Sequence, residues 1–319
     1  MNRIHVLHEN PAWLPPLAQA FDQRGLPWTE WFLHEASFDL AAPPPDGVFY
    51  NRMSASSHTR DHRFSAELTA CVLAWLERWG RRVVNGSGAL DLEISKVRQY
   101  GVLERHGIAT PRSVLVAGRG LIVAAAERYF AGRPVILKPN RGGKGLGVRL
   151  FPSAASLAAY VESDDYETPV DGVQLLQDYI RAPAPFITRA EFVGGRFLYA
   201  VEVDTSDGFE LCPAEACAVG DASCPAGASP RQKFQIVAGI PDALRMRLER
   251  FLAAAGIDVA GIEFITDTVG RTLVYDVNTN TNYNPEAEMR DGRAGTDRSG
   301  PGAIATYLGA ELTRLREAA

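Results

Sequence analysis

Two groups of residues in this chain are placed to do chemistry. The first is a glycine loop with lysines. In PVILKPNRGGKGLGVRLF, Lys138 closes an apolar run and Lys144 sits among Gly142, Gly143, Gly145 and Gly147. Glycines let a hairpin bring its backbone close to a ligand, and successive free N–H groups can cradle phosphate oxygens. The second group is a set of hard oxygen donors. Glu263 and Asp276 lie in GIEFITD and RTLVYDVN, on either side of the turn Thr268-Val269-Gly270, with Asn278 two residues further on. Strand alternation puts Asp276 and Asn278 on one face, and Glu263 meets them across the hairpin. Two carboxylates and an amide oxygen suit Mg²⁺ bridging phosphates, with Mn²⁺ as the alternative ion.

Lysine is scarce here. The chain has 33 Lys plus Arg, of which only Lys96, Lys138, Lys144 and Lys233 are lysine. A lysine kept against that bias marks a place that needs a compact ammonium rather than a generic solvated charge. The loop is not a P-loop, because no GK[ST] is present and no helix follows it. It is not a dinucleotide fingerprint either, because a strand follows.

The elements that must position these groups read as mixed α/β. RIHVLH, PWTEWFL, GVFYNR and RRVVNG are strands separated by helical periodicity around Leu14–Arg24 and Phe64–Trp79, which predicts an open parallel sheet. Ligands of such sheets gather at the carboxyl ends of the strands, where Asn51-Arg52 and Asn85-Gly86 fall. A helix is expected over 91–106, then a strand SVLVA and a helix over 121–131. Further strands are expected over 172–176, 187–193, 197–204 and 209–211. A helix over 242–255, a long polar loop over 278–302 and a helix over 303–317 complete the chain. The segment 214–231 lacks a pattern. The composition is ordinary globular, with 46% hydrophobic and 22% charged residues and a net charge of −5. That excludes a disordered or coiled-coil chain and speaks against a phosphate-tracking nucleic-acid binder. No window approaches a membrane span and the N-terminus lacks a secretion core, so a cytoplasmic protein without a membrane partner is expected. Cys71, Cys212, Cys217 and Cys224 show no CxxC spacing and are expected to be reduced thiols rather than zinc ligands.

Five motifs in order resemble the ATP-grasp ligases, of the RimK type and their amino-acid-ligase relatives. They are Lys96 in LDLEISKVRQYGVLERHGIATP, Lys138 in VILKPNRGGKGLGV, QDYI at 177–180, Arg189 in ITRAEFVGGRF, and GIEF…VYDVN at 261–278. The resemblance implies an N-terminal pre-grasp domain over 1–88, a central subdomain with the phosphate loop over 89–176, and a C-terminal subdomain with the metal site over 177–319. It implies that Lys96 and Lys138 contact the phosphates of ATP, that Lys144 lies in the loop folding over them, and that Arg189 faces the phosphoryl group. It implies that Gln177, Asp178, Tyr179 and Ile180 form the hinge that holds adenine, with Asp178 and Tyr179 presenting N–H and C=O to the base. Relatives commonly carry Asp or Glu and then Glu at the metal positions, whereas this chain has Glu263 and then Asp276. No carboxylate precedes Arg189 to take the ribose hydroxyls. The implied reaction joins a carboxylate to an amine, on an amino acid or small peptide, through an acyl phosphate with release of ADP and phosphate. A grasp-fold kinase and a regulator without turnover are the rival readings.

Asn280, Asn282 and Tyr283 are expected to shape the substrate pocket. Arg52, at the carboxyl edge of the N-terminal sheet, is expected to grip a substrate carboxylate that is not the one activated, with Asn51 or Arg60 assisting. Homo-oligomerisation and the identities of donor and acceptor are left open.

Overall fold

The computed structural model describes residues 2–143, 145–206 and 233–318. Lys144, Cys212, Cys217, Cys224, the expected strand over 209–211 and the patternless segment over 214–231 lie outside the described residues.

The N-terminal unit is a parallel sheet. It comprises β1 (Arg3–His8), α1 (Pro15–Asp22), β2 (Trp28–Phe32), β3 (Gly47–Asn51), α2 (Ser65–Arg78) and β4 (Arg82–Val84), with strand order β2-β1-β3-β4. Parallel strands must be covered on both faces, and β1 and β3 accordingly have almost every residue buried. One face packs Ile4, Val6, Val48 and Tyr50 against Leu17 and Phe21 of α1. The other packs Leu7 and Phe49 against Val72, Leu73 and Leu76 of α2.

Next come α3 (Ser87–Glu93), α4 (Lys96–Arg105), β5 (Ser113–Ala117), α5 (Ile122–Phe130), β6 (Val135–Pro139), β7 (Arg149–Phe151), α6 (Ala154–Glu162) and β8 (Val173–Asp178). Their strands form a second sheet in the order β5-β8-β6-β7. The third sheet is antiparallel, order β11-β10-β9-β12-β13, built from β9 (Phe186–Val193), β10 (Arg196–Asp204), β11 (Phe234–Val237), β12 (Val259–Thr266) and β13 (Thr272–Asn278). Helix α7 (Asp242–Ala255) contributes Leu248, Phe251 and Leu252 to the core beneath it. The chain closes with α8 (Pro285–Arg290) and α9 (Gly300–Glu317).

The structure corrects two readings of the elements. The helix expected over 91–106 is broken, because the Ser95 side chain caps α4 by accepting from the Arg98 N–H. The loop expected over 278–302 contains α8, where Asn284 caps the helix ahead of Pro285 and accepts from the Ala287 N–H. Strand β8 spans the position of the division expected at 176/177, and α9 packs Ile304, Ala305, Leu308 and Leu312 on the N-terminal sheet.

Asn51 and Asn85 also differ from expectation, since both amides serve the fold. Asn51 Nδ2 donates to the Asn85 carbonyl. Asn85, with positive φ and no exposed surface, donates to the carbonyls of Val259 and Thr279 and accepts from the N–H groups of Asp258 and Val259. It fastens the N-terminal sheet to the strands that carry the acids. Asn85→Ala would leave four buried backbone groups unpaired, and a loss of about 3–5 kcal/mol in urea unfolding is expected. A loss below about 0.5 kcal/mol, the range of neutral surface changes, would remove this role.

Candidate active site

Strand β6 delivers Lys138, and α4 opens with Lys96. The Lys138 ammonium is buried, donates to Tyr100 Oη at 2.6 Å and to the Tyr275 carbonyl at 3.4 Å, and lies against both tyrosine rings. Burial, and then the charge of Lys96, push its pKa down to about 7. Lys96 Nζ donates to the Gly142 carbonyl at 3.1 Å and pairs with Asp276 Oδ1 at 3.1 Å. It therefore joins the glycine loop to the acidic strand. The loop is held at its base by Asn140, whose Oδ1 accepts from the Val97 N–H. Glycine is required at 145 and 147, both at positive φ, and a Cβ at 142 would press on Pro139.

Between the second and third sheets lies a cavity of about 120 Å³ with apolar walls from Ile136, Leu146, Val148, Ile180, Ile187 and Ile265. Its polar floor is Lys96, Lys138, Glu263 and Asp276, and Gln177, Asp178 and Tyr179 form its edge. A flat apolar slot ending in cations and acids suits a base with a phosphate chain. The hinge differs from expectation in one respect. The Asp178 N–H already donates to the Arg112 carbonyl and the Tyr179 N–H to that of Pro134, so these two donors are not offered to a base. The Asp178 carboxylate pairs with Arg133 at 2.9 Å. Gln177 is buried and its Oε1 accepts from Tyr100 Oη, which ties the hinge to the Lys138 pocket.

Glu263 and Asp276 stand opposite one another in the β12–β13 ladder, with a bulge immediately after Glu263. Asn278 Nδ2 lies 3.5 Å from Glu263 Oε1, which puts the three expected metal-site residues together. Burial raises the pKa of Glu263, and Asp276 pushes it further up while Arg189 opposes. The buried Glu263 and the half-buried Asp276 are hard oxygen donors that fit Mg²⁺. Among the described residues no cluster of three His, Cys, Asp or Glu groups is gathered for a metal. A divalent ion here would therefore need oxygens from a phosphate chain or water to complete its shell.

Arg189 projects from β9 beside Glu263 and is more committed than its motif suggests. It pairs with Glu191 at 2.7 Å and Glu263 at 3.1 Å, and also donates to Thr281 Oγ1. Its pKa is raised by these two carboxylates against the cost of burial. The guanidinium charge is thus already balanced, and it borders a second cavity shared with Glu93, Asn280, Asn282 and Tyr283. Glu93 and Glu191 were not singled out by sequence. Glu93 accepts from the N–H groups of Ala55 and Thr279 and from Thr279 Oγ1, tying the loop after β3 to the end of β13. The available signal was an acid on an otherwise apolar face, in LDLEI and in AEFV.

Arg52 follows directly on β3 and is buried. Its guanidinium donates to the Trp13 carbonyl at 2.8 Å and to Asn282 Oδ1 at 3.0 Å. Arg60, expected to assist it, is instead held by the buried Glu9.

No family model matches the chain. Among curated proteins, the chain is 27% identical over 188 residues to a probable alpha-L-glutamate ligase of Rhodopirellula baltica, covering 58% of this chain and 45% of that protein. It is 26% identical over 215 residues to beta-citrylglutamate synthase B of Danio rerio, covering 66% and 48%. The chain thus spans about half the length of these relatives. Among solved structures, a RimK-domain ATP-grasp protein of Sphaerobacter thermophilus superposes with TM-score 0.64 at 20% identity, over 96% of this chain and 98% of that one. No helix among the described residues is long and apolar enough to cross a membrane.

Proposed function

From the premise that this chain has the ATP-grasp fold, we propose that it is an ATP-dependent carboxylate–amine ligase of the RimK-like kind. One observation supports this most. Lys96, Lys138, Glu263 and Asp276, from three separate segments, converge on the polar floor of one apolar slot. A base in the slot would lay its phosphates along the two ammonium groups and the glycine loop. Lys96 would leave Asp276 for phosphate oxygen, freeing that carboxylate and Glu263 to hold Mg²⁺. The bound ion would supply charge neutralisation between the phosphates.

A substrate carboxylate attacks the γ-phosphorus, its P–O bond to the β-phosphate breaks, and ADP leaves. The amine then attacks the acyl carbonyl, loses a proton, and phosphate departs with the C–N bond formed. Lys138 stabilises the charge on the transferring group, and Arg189, held by Glu191, keeps Glu263 in place. Asn280, Asn282 and Tyr283 line the adjoining cavity, where the organic substrates would meet the phosphoryl group. Those substrates are amino acids or small peptides.

The test is an ADP-release screen over amino-acid pairs, with mass spectrometry of the products. ADP, phosphate and an amide are expected only when carboxylate and amine are both present. AMP with pyrophosphate as the main products would remove the acyl-phosphate route. Phosphorylation of a hydroxyl without an amine would favour a kinase.

A further inference from the structure

A third cavity, of about 360 Å³, lies between α1 and the segment that runs from α8 into α9. It adjoins the second cavity along Trp13, Asn282 and Tyr283, which line both. Its walls are mainly apolar, from Leu17, Ala20, Met289, Pro301 and Ile304. The charged groups in it other than Arg52 are committed elsewhere. Glu288 accepts from Tyr199 Oη and the Gly300 N–H, and Arg24 pairs with Asp297.

Arg52 also lines this cavity and differs from the other buried arginines. Arg141 faces Glu67, and Arg189 faces Glu191 and Glu263. Arg52, only 7% exposed, has two uncharged oxygen partners and an Nε with none. Among the described residues no acid pairs with it. A buried cation without a counter-ion is costly, so the residue is built to receive an anion from outside the chain. Nearby, among the described residues, Asn280 is 8% exposed with both amide atoms unpartnered, and Tyr283 Oη is buried without a partner. Native structures rarely leave such groups unsatisfied. Unpaired donors and an unpaired acceptor therefore border the junction of an apolar cavity with the reaction site.

We propose that this junction is a substrate subsite for an α-amino acid, or a short peptide ending in one, with an apolar side chain. Its carboxylate meets Arg52, its amino or amide group meets Asn280 and Tyr283, and its side chain fills the cavity under α1. The assignment rests on the ligase reading and narrows its substrate class.

The test is calorimetric binding to the full chain with Mg²⁺ and a non-hydrolysable ATP analogue, using glycine, L-leucine, L-phenylalanine and L-phenylalaninamide. Leucine or phenylalanine should bind at least tenfold tighter than glycine, which is about 1.4 kcal/mol. The amide, which lacks the carboxylate, should lose at least tenfold against phenylalanine. Ala294→Trp, on an exposed wall of the cavity, should reduce the apolar preference to within twofold while glycine binding and thermal stability stay unchanged. Equal binding of glycine and the apolar amino acids, an undiminished amide, or a preference that survives Ala294→Trp would each overturn the subsite. Ligation with no apolar preference would leave the ligase reading standing without the subsite. Selective binding without ADP release on any pair would do the reverse.

Discussion

Lys138→Met is expected to lower kcat/KM for ATP by about 10²–10³-fold, the range for removing one preorganised charge from a water-excluded phosphoryl-transfer site. Methionine keeps the length of the stem and removes the ammonium. The lysine occupies a position that favours its neutral form when no anion is near, with its pKa pushed down to about 7 by burial and by Lys96. A triphosphate would supply the missing counter-charge, so the binding free energy includes the recharging of this group. The same depression fixes a stability test that needs no turnover. Between about pH 7 and the usual lysine range the unfolded chain binds more protons than the folded one, so stability of the nucleotide-free protein rises with pH there. Below about pH 7 the full penalty of charging the buried lysine is present. Lys138→Met should abolish that rise and be at least as stable as the parent chain at pH 6. ATP turnover within about twofold of the parent, measured alongside the unfolding curves, would sink the assignment.

The sequence made the candidate groups legible because their local chemistry is unusual. Lys138 stands out in an arginine-rich chain, and the glycines of 142–147 have no ordinary reason to cluster in a hairpin. The β12–β13 pair was readable from alternation, so the facing of Glu263 and Asp276 followed from a turn and a period of two. What was not readable depends on contacts between distant segments. The break at Ser95 lies within a helical period that runs on, and Asn140, some forty residues later in the loop after β6, accepts from the Lys96 and Val97 N–H groups and so helps fix where α4 begins. Arg189 was expected to face the phosphoryl group, but two carboxylates share its charge, and Glu263 lies 74 residues away in sequence. The partners of the hinge N–H groups were unreadable for the same reason, since Arg112 and Pro134 reach them from neighbouring elements. The amides of Asn51 and Asn85 were assigned to a strand edge where ligands gather. The fold uses that edge to join the N-terminal sheet to β12 and β13, and among the described residues no acid pairs with Arg52 beside it.

Asp276→Asn is expected to raise the Mg²⁺ needed for half-maximal rate by at least about tenfold and to lower the saturated rate by about 10²-fold. Three features argue for so large an effect from so small a change. The acid faces Glu263 across the ladder, so the two would share one ion, and an amide in its place removes a unit of charge from that pair. It is also the acid to which Lys96 is tied at 3.1 Å, so the substitution releases an ammonium that would otherwise trade Asp276 for phosphate. Finally, aspartate here is one methylene shorter than the glutamate common in the resembling ligases, which leaves little reach for a weaker donor to compensate. The fold should survive, because asparagine has the same shape and relieves the like-charge repulsion that adds to burial in raising the Glu263 pKa. Thermal unfolding of the metal-free variant should therefore match or exceed that of the parent, while its stabilisation by Mg²⁺ plus an ATP analogue falls. A Mg²⁺ titration and maximal rate both unchanged would show that Asp276 is no ligand. A variant that loses stability without metal would place the carboxylate in the fold, through Lys96, rather than in the site.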